Sequence, residues 1–182
     1  MPPVLTPFAP ASAASAAAGG PIPPADLEQV SKDAYDKYPA SCSHAVWHVI
    51  KRYLPEQEYR TANALIASLK ADKRWAEVPV SEVAERATRG ELVVGGLAET
   101  PNGHVIVVYP GAAKPAGGYA YVSGGKSLTM RSRGLYPRAM STSLGGWAGA
   151  KSRGDKTIWD PWANDGKFRQ VTFWRLVSSA AQ

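Results

Sequence analysis

Apolar residues recur every three or four positions through the first half of the chain, which is the spacing of amphipathic helices. This pattern predicts four helices, over residues 26–38, 41–53, 61–70 and 81–88. Pro39 ends the first of these helices. Pro79 precedes the fourth and Gly90 follows it, in the arrangement that is usual at helix ends.

The period changes after residue 90, and short apolar runs replace the helical spacing. The run from His104 to Tyr109 is apolar on both faces, so it predicts a central strand that is buried on both sides. Further strands are predicted at residues 92–94, 118–123, 136–141, 156–159 and 168–177. Because helices come before strands, we expect an α+β domain with its helices packed on one face of an antiparallel sheet.

The beginning of the chain has a different composition from the rest. Residues 1–25 are rich in Pro, Ala, Ser and Gly, and we interpret them as a flexible arm before one domain at 26–182. No Lys or Arg lies near the start and Pro interrupts the apolar residues, so a standard secretory signal is disfavoured. If the protein acts outside the cytoplasm, we expect it to be exported by another route.

Composition narrows the class of protein. The 182 residues are 45% hydrophobic and 20% charged, a globular balance, and no apolar run is long enough to span a membrane. The net charge of +6 is compatible with solubility alone or with an anionic partner. Basic and aromatic residues lack the regular interleaving of an RNA-binding sheet, so nucleic acid is disfavoured as the partner.

The chain has a single cysteine, Cys42, and therefore no intrachain disulfide. Ser41 is a good N-cap, which places Cys42 in the first turn of the second predicted helix. The unpaired N–H groups and the positive end of the helix dipole at that position favour a thiolate, the nucleophilic form. The alternative is that Cys42 is an inert, buried apolar residue.

A nucleophilic thiolate needs a base, and the three histidines are the candidates. His44 and His48 share the helix with Cys42, but His44 points to a different face and His48 lies nearly two turns away, so neither readily reaches the sulfur. His104 begins the central strand after a glycine, so its ring could face the helix start; the alternative is a structural histidine. The pair His44 and His48 has zinc-ligand spacing, but no Glu lies between them, so packing is favoured and no metal or cofactor is expected.

Two segments resemble one family of enzymes. The segment Cys42–Val46 resembles the nucleophile helix of the papain-like cell-wall peptidases and amidases of the NlpC and CHAP types. The segment Asn102–Gly111 (NGHVIVVYPG), preceded by Ala87–Val94, is similar to their Gly-His strand. The resemblance covers residues 40–111 closely and the remainder loosely. It implies a papain-like fold and a cysteine amidase that cleaves peptidoglycan stem peptides, with Cys42 as nucleophile and His104 as base.

The family pattern leaves the remaining site residues open. Many NlpC-type enzymes place a second histidine after the base, and this chain has none after His104. The candidates for the group that orients His104 are Ser123, Ser141, Asp155 and Asp160. Trp147 and Arg138 are candidates for substrate binding, with the arginine holding a stem carboxylate.

Small size and the lack of a wall-binding repeat resemble the amidase effectors that bacteria deliver by type VI secretion. That resemblance implies action in the periplasm of a target bacterium and a cognate immunity protein that plugs the cleft.

Two other functions fit the same sequence. A cysteine-dependent deamidase or acyltransferase toxin that acts on a protein would have the same helix and strand. A non-catalytic module that binds the wall through its basic surface would instead carry an unreactive Cys42.

Overall fold

The computed structural model describes residues 19–177, which form five α-helices, one turn of 3₁₀-helix and ten strands. The helices are α1 (Pro24–Lys37), α2 (Cys42–Tyr53), α3 (Ala62–Ala71), α4 (Val83–Thr88) and α5 (Asp165–Phe168), with the 3₁₀ turn at Val80–Glu82. The strands are β1 (Trp75–Val78), β2 (Val93–Leu97), β3 (His104–Val108), β4 (Lys114–Pro115), β5 (Ala120–Ser123), β6 (Lys126–Thr129), β7 (Leu135–Tyr136), β8 (Arg138–Ser141), β9 (Ser152–Thr157) and β10 (Thr172–Leu176).

Six of these strands form one antiparallel sheet in the order β1-β10-β2-β3-β8-β9. The last strand, β10, therefore lies between the first two strands of the chain. The remaining strands form two separate ribbons, β4 with β7 and β5 with β6. The mixed helix and antiparallel-sheet architecture confirms the predicted α+β class.

Strand β3 lies at the centre of the sheet and is fully buried, as its uniformly apolar sequence predicts. Val105 and Val107 pack in a cluster with the apolar faces of α1, α2 and α3. Ile106 and Val108 point the opposite way and pack in a second cluster with α4. The expectation that all helices lie on one face is wrong for α4, because alternate residues of an apolar strand each need a covering layer.

The folded domain begins earlier than the predicted boundary at residue 26. Gly19 donates its backbone N–H to Tyr53, and Ile22 donates to Gly90. The Ile22 side chain is buried, and α1 begins at Pro24. Residues 19–25 are thus part of the domain rather than of a flexible arm. The rest of the predicted arm, residues 1–18, lies outside the described residues, as do residues 178–182.

Several predicted elements change in extent. The bounds of helices α1 to α4 lie within two residues of the predicted bounds. The first residues of the fourth predicted helix belong to the 3₁₀ turn at Val80–Glu82. The predicted strand at 156–159 is instead β9 at Ser152–Thr157, and the run 168–177 divides between the end of α5 and β10. Strand β1 was not predicted. Among residues 19–177, the helices are all too short or too polar to cross a bilayer.

Candidate active site

Cys42 is the first residue of α2, and Ser41 is its N-cap. The Ser41 hydroxyl accepts a hydrogen bond from the backbone N–H of His44 at 3.5 Å and contacts the Nδ1 atom of the same residue at 2.7 Å. The first N–H groups of a helix have no acceptor within it. The amides of Cys42 and Ser43 therefore remain available at the end of the helix that carries the sulfur.

The surroundings of the Cys42 thiol have two opposing effects on its ionisation. The side chain is partly buried and packs against the core beneath α2. Burial raises the pKa of the Cys42 thiol, while the backbone N–H groups of Val105, Ser43 and Cys42 itself lower it. Burial is the larger effect, so the pKa lies above its usual value. The helix start therefore favours the thiolate, as the sequence predicts, but its N–H groups do not outweigh the effect of burial.

His104 is the first residue of β3 and is 9% exposed. The chain reaches it through Gly103, where a Cβ atom would lie 2.2 Å from Asn63 Oδ1 and 2.7 Å from the Leu97 carbonyl oxygen. A glycine is thus needed to bring the strand start this close to α3. Burial lowers the pKa of His104 to about 4, because the charged imidazolium loses its hydration, and the Glu99 carboxylate opposes this shift.

A short hydrogen-bond chain assigns the tautomer of His104. Its Nε2 atom lies 2.9 Å from the Ser141 hydroxyl oxygen, and that hydroxyl donates to the Ala150 carbonyl at 2.7 Å. A hydroxyl has one proton, so Ser141 accepts from His104 rather than donating to it. The proton of the neutral imidazole is therefore on Nε2, and Nδ1 carries the lone pair that a general base needs.

Cys42 and His104 both line one cleft of about 870 Å³. Ser41, Ser43, Tyr59 and Ala62 contribute to the wall on the helix side. The cleft is also lined by residues 143, 144 and 147 from the loop after β8 and by residues 161–164 from the segment before α5. The candidate nucleophile and base therefore share an open groove that is large enough for a short peptide.

Two tryptophans form the aromatic surround of the base. The Trp147 and Trp162 rings lie 6.5 and 5.5 Å from the His104 ring, both edge-to-face. Trp147 donates its indole N–H to the Pro161 carbonyl, which ties the loop after β8 to the segment before α5. Trp147, a predicted substrate-binding residue, lines the cleft. Arg138 lies outside the cleft, and its guanidinium contacts Pro110 and Glu28.

The four candidate orienting groups separate clearly in space. Ser141 contacts His104, as described above. Ser123 ends the exposed strand β5, and Asp155 pairs with Lys156. The buried Asp160 accepts hydrogen bonds from Thr157 and Gly117, so it holds the turn after β9. Of the four candidates, Ser141 is the one that forms a hydrogen bond with His104.

The other two histidines belong to an aromatic cluster beside the cleft. The His44 ring stacks on Tyr59 with 4.0 Å between ring centroids, and His48 lies against Tyr38 at 5.9 Å. Tyr59 also contacts the Ser43 hydroxyl at 3.0 Å. Within residues 19–177, no three His, Cys, Asp or Glu side chains are grouped so that they could hold a metal ion.

Sequence reasoning missed the polar residues at the rim of the cleft. Glu99 follows β2 and pairs with Lys167 of α5 at 2.8 Å. Asn63 of α3 clamps the Glu99 backbone, donating to its carbonyl at 2.8 Å and accepting from its N–H at 3.3 Å. These residues are far apart in the chain and belong to no local motif. The one local signal for this loop is the position of Asn102–Gly103 directly before His104.

Comparison of the chain with protein-family models and with curated proteins finds no match to either.

Proposed function

We propose that this protein is a papain-like cysteine amidase that hydrolyses amide bonds in peptidoglycan stem peptides. One observation carries the proposal. A cysteine at the start of a helix and a histidine with a lone pair on Nδ1 line the same groove, and the other ring nitrogen is held by a buried hydroxyl. A nucleophile, a base and an orienting group are the three parts that covalent amide hydrolysis by a thiol requires.

Before the attack, the Cys42 thiol and the His104 imidazole are both uncharged. Burial raises the pKa of Cys42 and lowers that of His104, so thiol and imidazole are the resting forms near pH 7. As the sulfur bonds to the carbonyl carbon of the substrate amide, its proton moves to Nδ1 of His104. The imidazolium formed in this step is stabilised by its hydrogen bond to Ser141.

The oxygen of the attacked carbonyl becomes negatively charged in the tetrahedral intermediate. The available backbone N–H groups of Cys42 and Ser43 at the start of α2 donate to it. The carbon–nitrogen bond then breaks, and the leaving amine takes the proton from His104. A thioester to Cys42 remains. Water attacks it while His104 accepts a proton, and the thiol is released with the carboxylic acid product.

The choice of peptidoglycan over other amides rests on the resemblance of residues 40–111 to NlpC-type enzymes and on the groove. The groove is open and combines aromatic with small polar residues, which suits a short peptide in extended form. We further propose that the protein is an exported antibacterial effector that acts in the periplasm of a target cell. A cognate immunity protein would then cover this groove.

The nucleophile is tested by replacing Cys42 with Ala and incubating the protein with purified peptidoglycan. The variant should release no peptide fragments, while wild-type protein should produce new amine and carboxylate termini detectable by mass spectrometry. Circular dichroism and thermal unfolding should match the wild type, because the thiol contributes little to the core. Fragment release by the variant at the wild-type rate would exclude Cys42 as nucleophile.

The same experiment separates the competing functions. A deamidase or acyltransferase would leave muropeptides intact and change the mass of a protein substrate. A binding module would retain the wall without cleaving it. Either result would overturn the proposed hydrolysis.

A further inference from the structure

The cleft carries one acidic and one basic residue, and they are adjacent. Among its described lining residues, Glu99 and Lys167 alone carry a formal charge near pH 7, since burial keeps His104 neutral. Their side-chain atoms Oε1 and Nζ are 2.8 Å apart. The cleft is thus electrically balanced although the chain has a net charge of +6. A ligand for this cleft is therefore expected to be balanced as well at the point where it meets this pair.

The Glu99 main chain is held in place by contacts that do not involve its side chain. Both amide atoms of Asn63 bind the Glu99 main chain, and Gly103 packs directly against Asn63 at the other end of the same loop. The Lys167 main chain is also held in place, because its backbone N–H donates a hydrogen bond to the Asn164 side chain at 2.9 Å. The two charged side chains can move apart while the walls that carry them stay in place.

The ion pair is only partly shielded from water. The side chains of Lys167 and Glu99 are 52% and 35% exposed. Ion pairs at this exposure contribute little to stability, so opening the pair costs little. A ligand that offers an ammonium to the carboxylate and a carboxylate to the ammonium replaces one charge contact with two charge-assisted hydrogen bonds.

We infer that Glu99 and Lys167 form a subsite for a zwitterionic amino-acid centre, one carbon that bears both a free ammonium and a free carboxylate. This inference rests on the proposed function and narrows its substrate class to stem peptides with such a centre. Diaminopimelate stems carry one at the far end of the diamino acid. Lysine stems have the ammonium but lack the neighbouring carboxylate, so they can pair with Glu99 and not with Lys167.

Binding is the appropriate measurement, because the Glu99 carboxylate also raises the pKa of His104 and would change the rate indirectly. Full-length protein with Cys42→Ala is titrated by calorimetry with a muramoyl tripeptide that ends in diaminopimelate. Its distal amine is the single free ammonium of the ligand. The comparison ligands are the same peptide acetylated at that amine and the corresponding lysine peptide.

The diaminopimelate peptide should bind about tenfold or more tightly than either comparison ligand, as expected for the loss of one charge-assisted hydrogen bond. Adding Glu99→Gln should remove the preference over the acetylated peptide, and adding Lys167→Gln should remove the preference over the lysine peptide. The matched control is Asp36→Asn, which breaks the exposed ion pair with Arg153 outside the cleft. It should leave all three affinities unchanged.

Equal affinity for the three peptides, or no binding of any, would overturn the subsite. A selectivity that survives both Glu99→Gln and Lys167→Gln would also overturn it. Cleavage is scored separately with wild-type protein. Selective binding without any cleavage would overturn the proposed hydrolysis and leave the subsite standing, so the two failures are distinguishable.

Discussion

The hydroxyl of Ser141 links the His104 ring to the protein main chain through two hydrogen bonds, one from His104 and one to Ala150. It is fully buried. Removing it leaves the imidazole N–H and a carbonyl oxygen without partners in a place that water does not reach. The ring would then lose both its preferred tautomer and its orientation. In the proposed mechanism Ser141 therefore acts through His104, as a positioning residue.

Ser141→Ala should therefore lower kcat by about 10- to 100-fold with little change in KM, as expected for the loss of a residue that orients a general base. Stability should fall by about 2 kcal/mol because two buried polar groups lose a partner. Steady-state cleavage of muropeptides and urea unfolding measure the two effects.

Ser152→Ala provides the matched control for this substitution. Ser152 is equally buried on the neighbouring strand and donates to the Ala139 carbonyl at 2.6 Å, without contacting His104. It should reduce stability and leave kcat unchanged. If both variants lose activity in proportion to stability, Ser141 has no specific role in orienting the base.

The buried, neutral state of His104 makes stability depend on pH. The pKa is about 4 in the folded protein and about 6.5 in the unfolded chain, so between these values the unfolded state binds more protons. The stabilisation is complete above pH 6.5 and is lost as pH falls to about 4. The expected loss is about 3 kcal/mol, measured by urea unfolding at several pH values.

A His104→Gln variant should show a much shallower loss of stability across that interval. Carboxylates with lowered pKa, such as Asp36 and Asp72, lose their contribution only below about pH 4, so they cannot produce a loss above pH 5. An unchanged pH slope in the variant would show that another group is responsible.

Local sequence was sufficient to propose Cys42 and His104, because a capped helix start and a glycine before an apolar run are patterns of neighbouring residues. For the group that orients His104 the sequence offers four candidates and no choice among them, because a contact between residues 104 and 141 depends on strand pairing. The Glu99 and Lys167 pair was missed for the same reason. Its two members are 68 positions apart, and neither lies in a motif.

At the scale of elements, the connection between β2 and β3 determines where the base lies. The Asn63 amide holds this connection at Glu99, and Gly103 closes it against α3. A larger residue at position 103 cannot fit unless the Asn63 side chain shifts and the strand start moves away from the Leu97 carbonyl oxygen. The position of His104 in the cleft therefore depends on the packing of α3 as well as on the sheet.

Gly103→Ala should reduce stability by about 2 kcal/mol, the usual cost of forcing an extra methyl group into a tight site. It should also lower the cleavage rate, because the shift needed to accept the Cβ atom moves His104. Gly146→Ala is the control, since a Cβ atom there meets no other atom within 4 Å. Thermal unfolding and muropeptide cleavage of both variants check this, and wild-type behaviour of Gly103→Ala would contradict the packing argument.

Elements with a clear periodicity of apolar residues were predicted more accurately than elements without one. Helices α1, α2 and α3 have several apolar residues on one face, and their bounds were predicted closely. The predicted position of strand β9 is wrong because its buried residues are Ser152, Gly154 and Thr157. Small residues thus alternate with charged ones, and the usual alternation of apolar and polar residues is absent. Strand β1 and helix α5 have four residues each, which is too short for a period to be seen.

At the scale of the whole molecule, the fold class followed from the sequence and the strand order did not. Strand β10 separates β1 from β2, and such a pairing between the end and the middle of the chain leaves no local trace. Composition also misled at the domain boundary. Residues 19–23 share the Pro and Gly content of the residues before them, yet they contain Ile22, which enters the main core.

The packing of this segment provides a test of where the domain begins. Ile22 is 6% exposed, and its backbone donates to Gly90, where a Cβ atom would lie 1.7 Å from the Ile22 carbonyl oxygen. Ile22→Ala in the full-length chain should reduce the free energy of unfolding in urea by about 3 kcal/mol, the usual cost of truncating a buried isoleucine. Val122→Ala, at a residue 74% exposed on β5, should change it by less than about 0.5 kcal/mol. An equally small change for Ile22→Ala would instead place the start of the domain at α1, because a segment that contributes nothing to stability is not part of the cooperative domain.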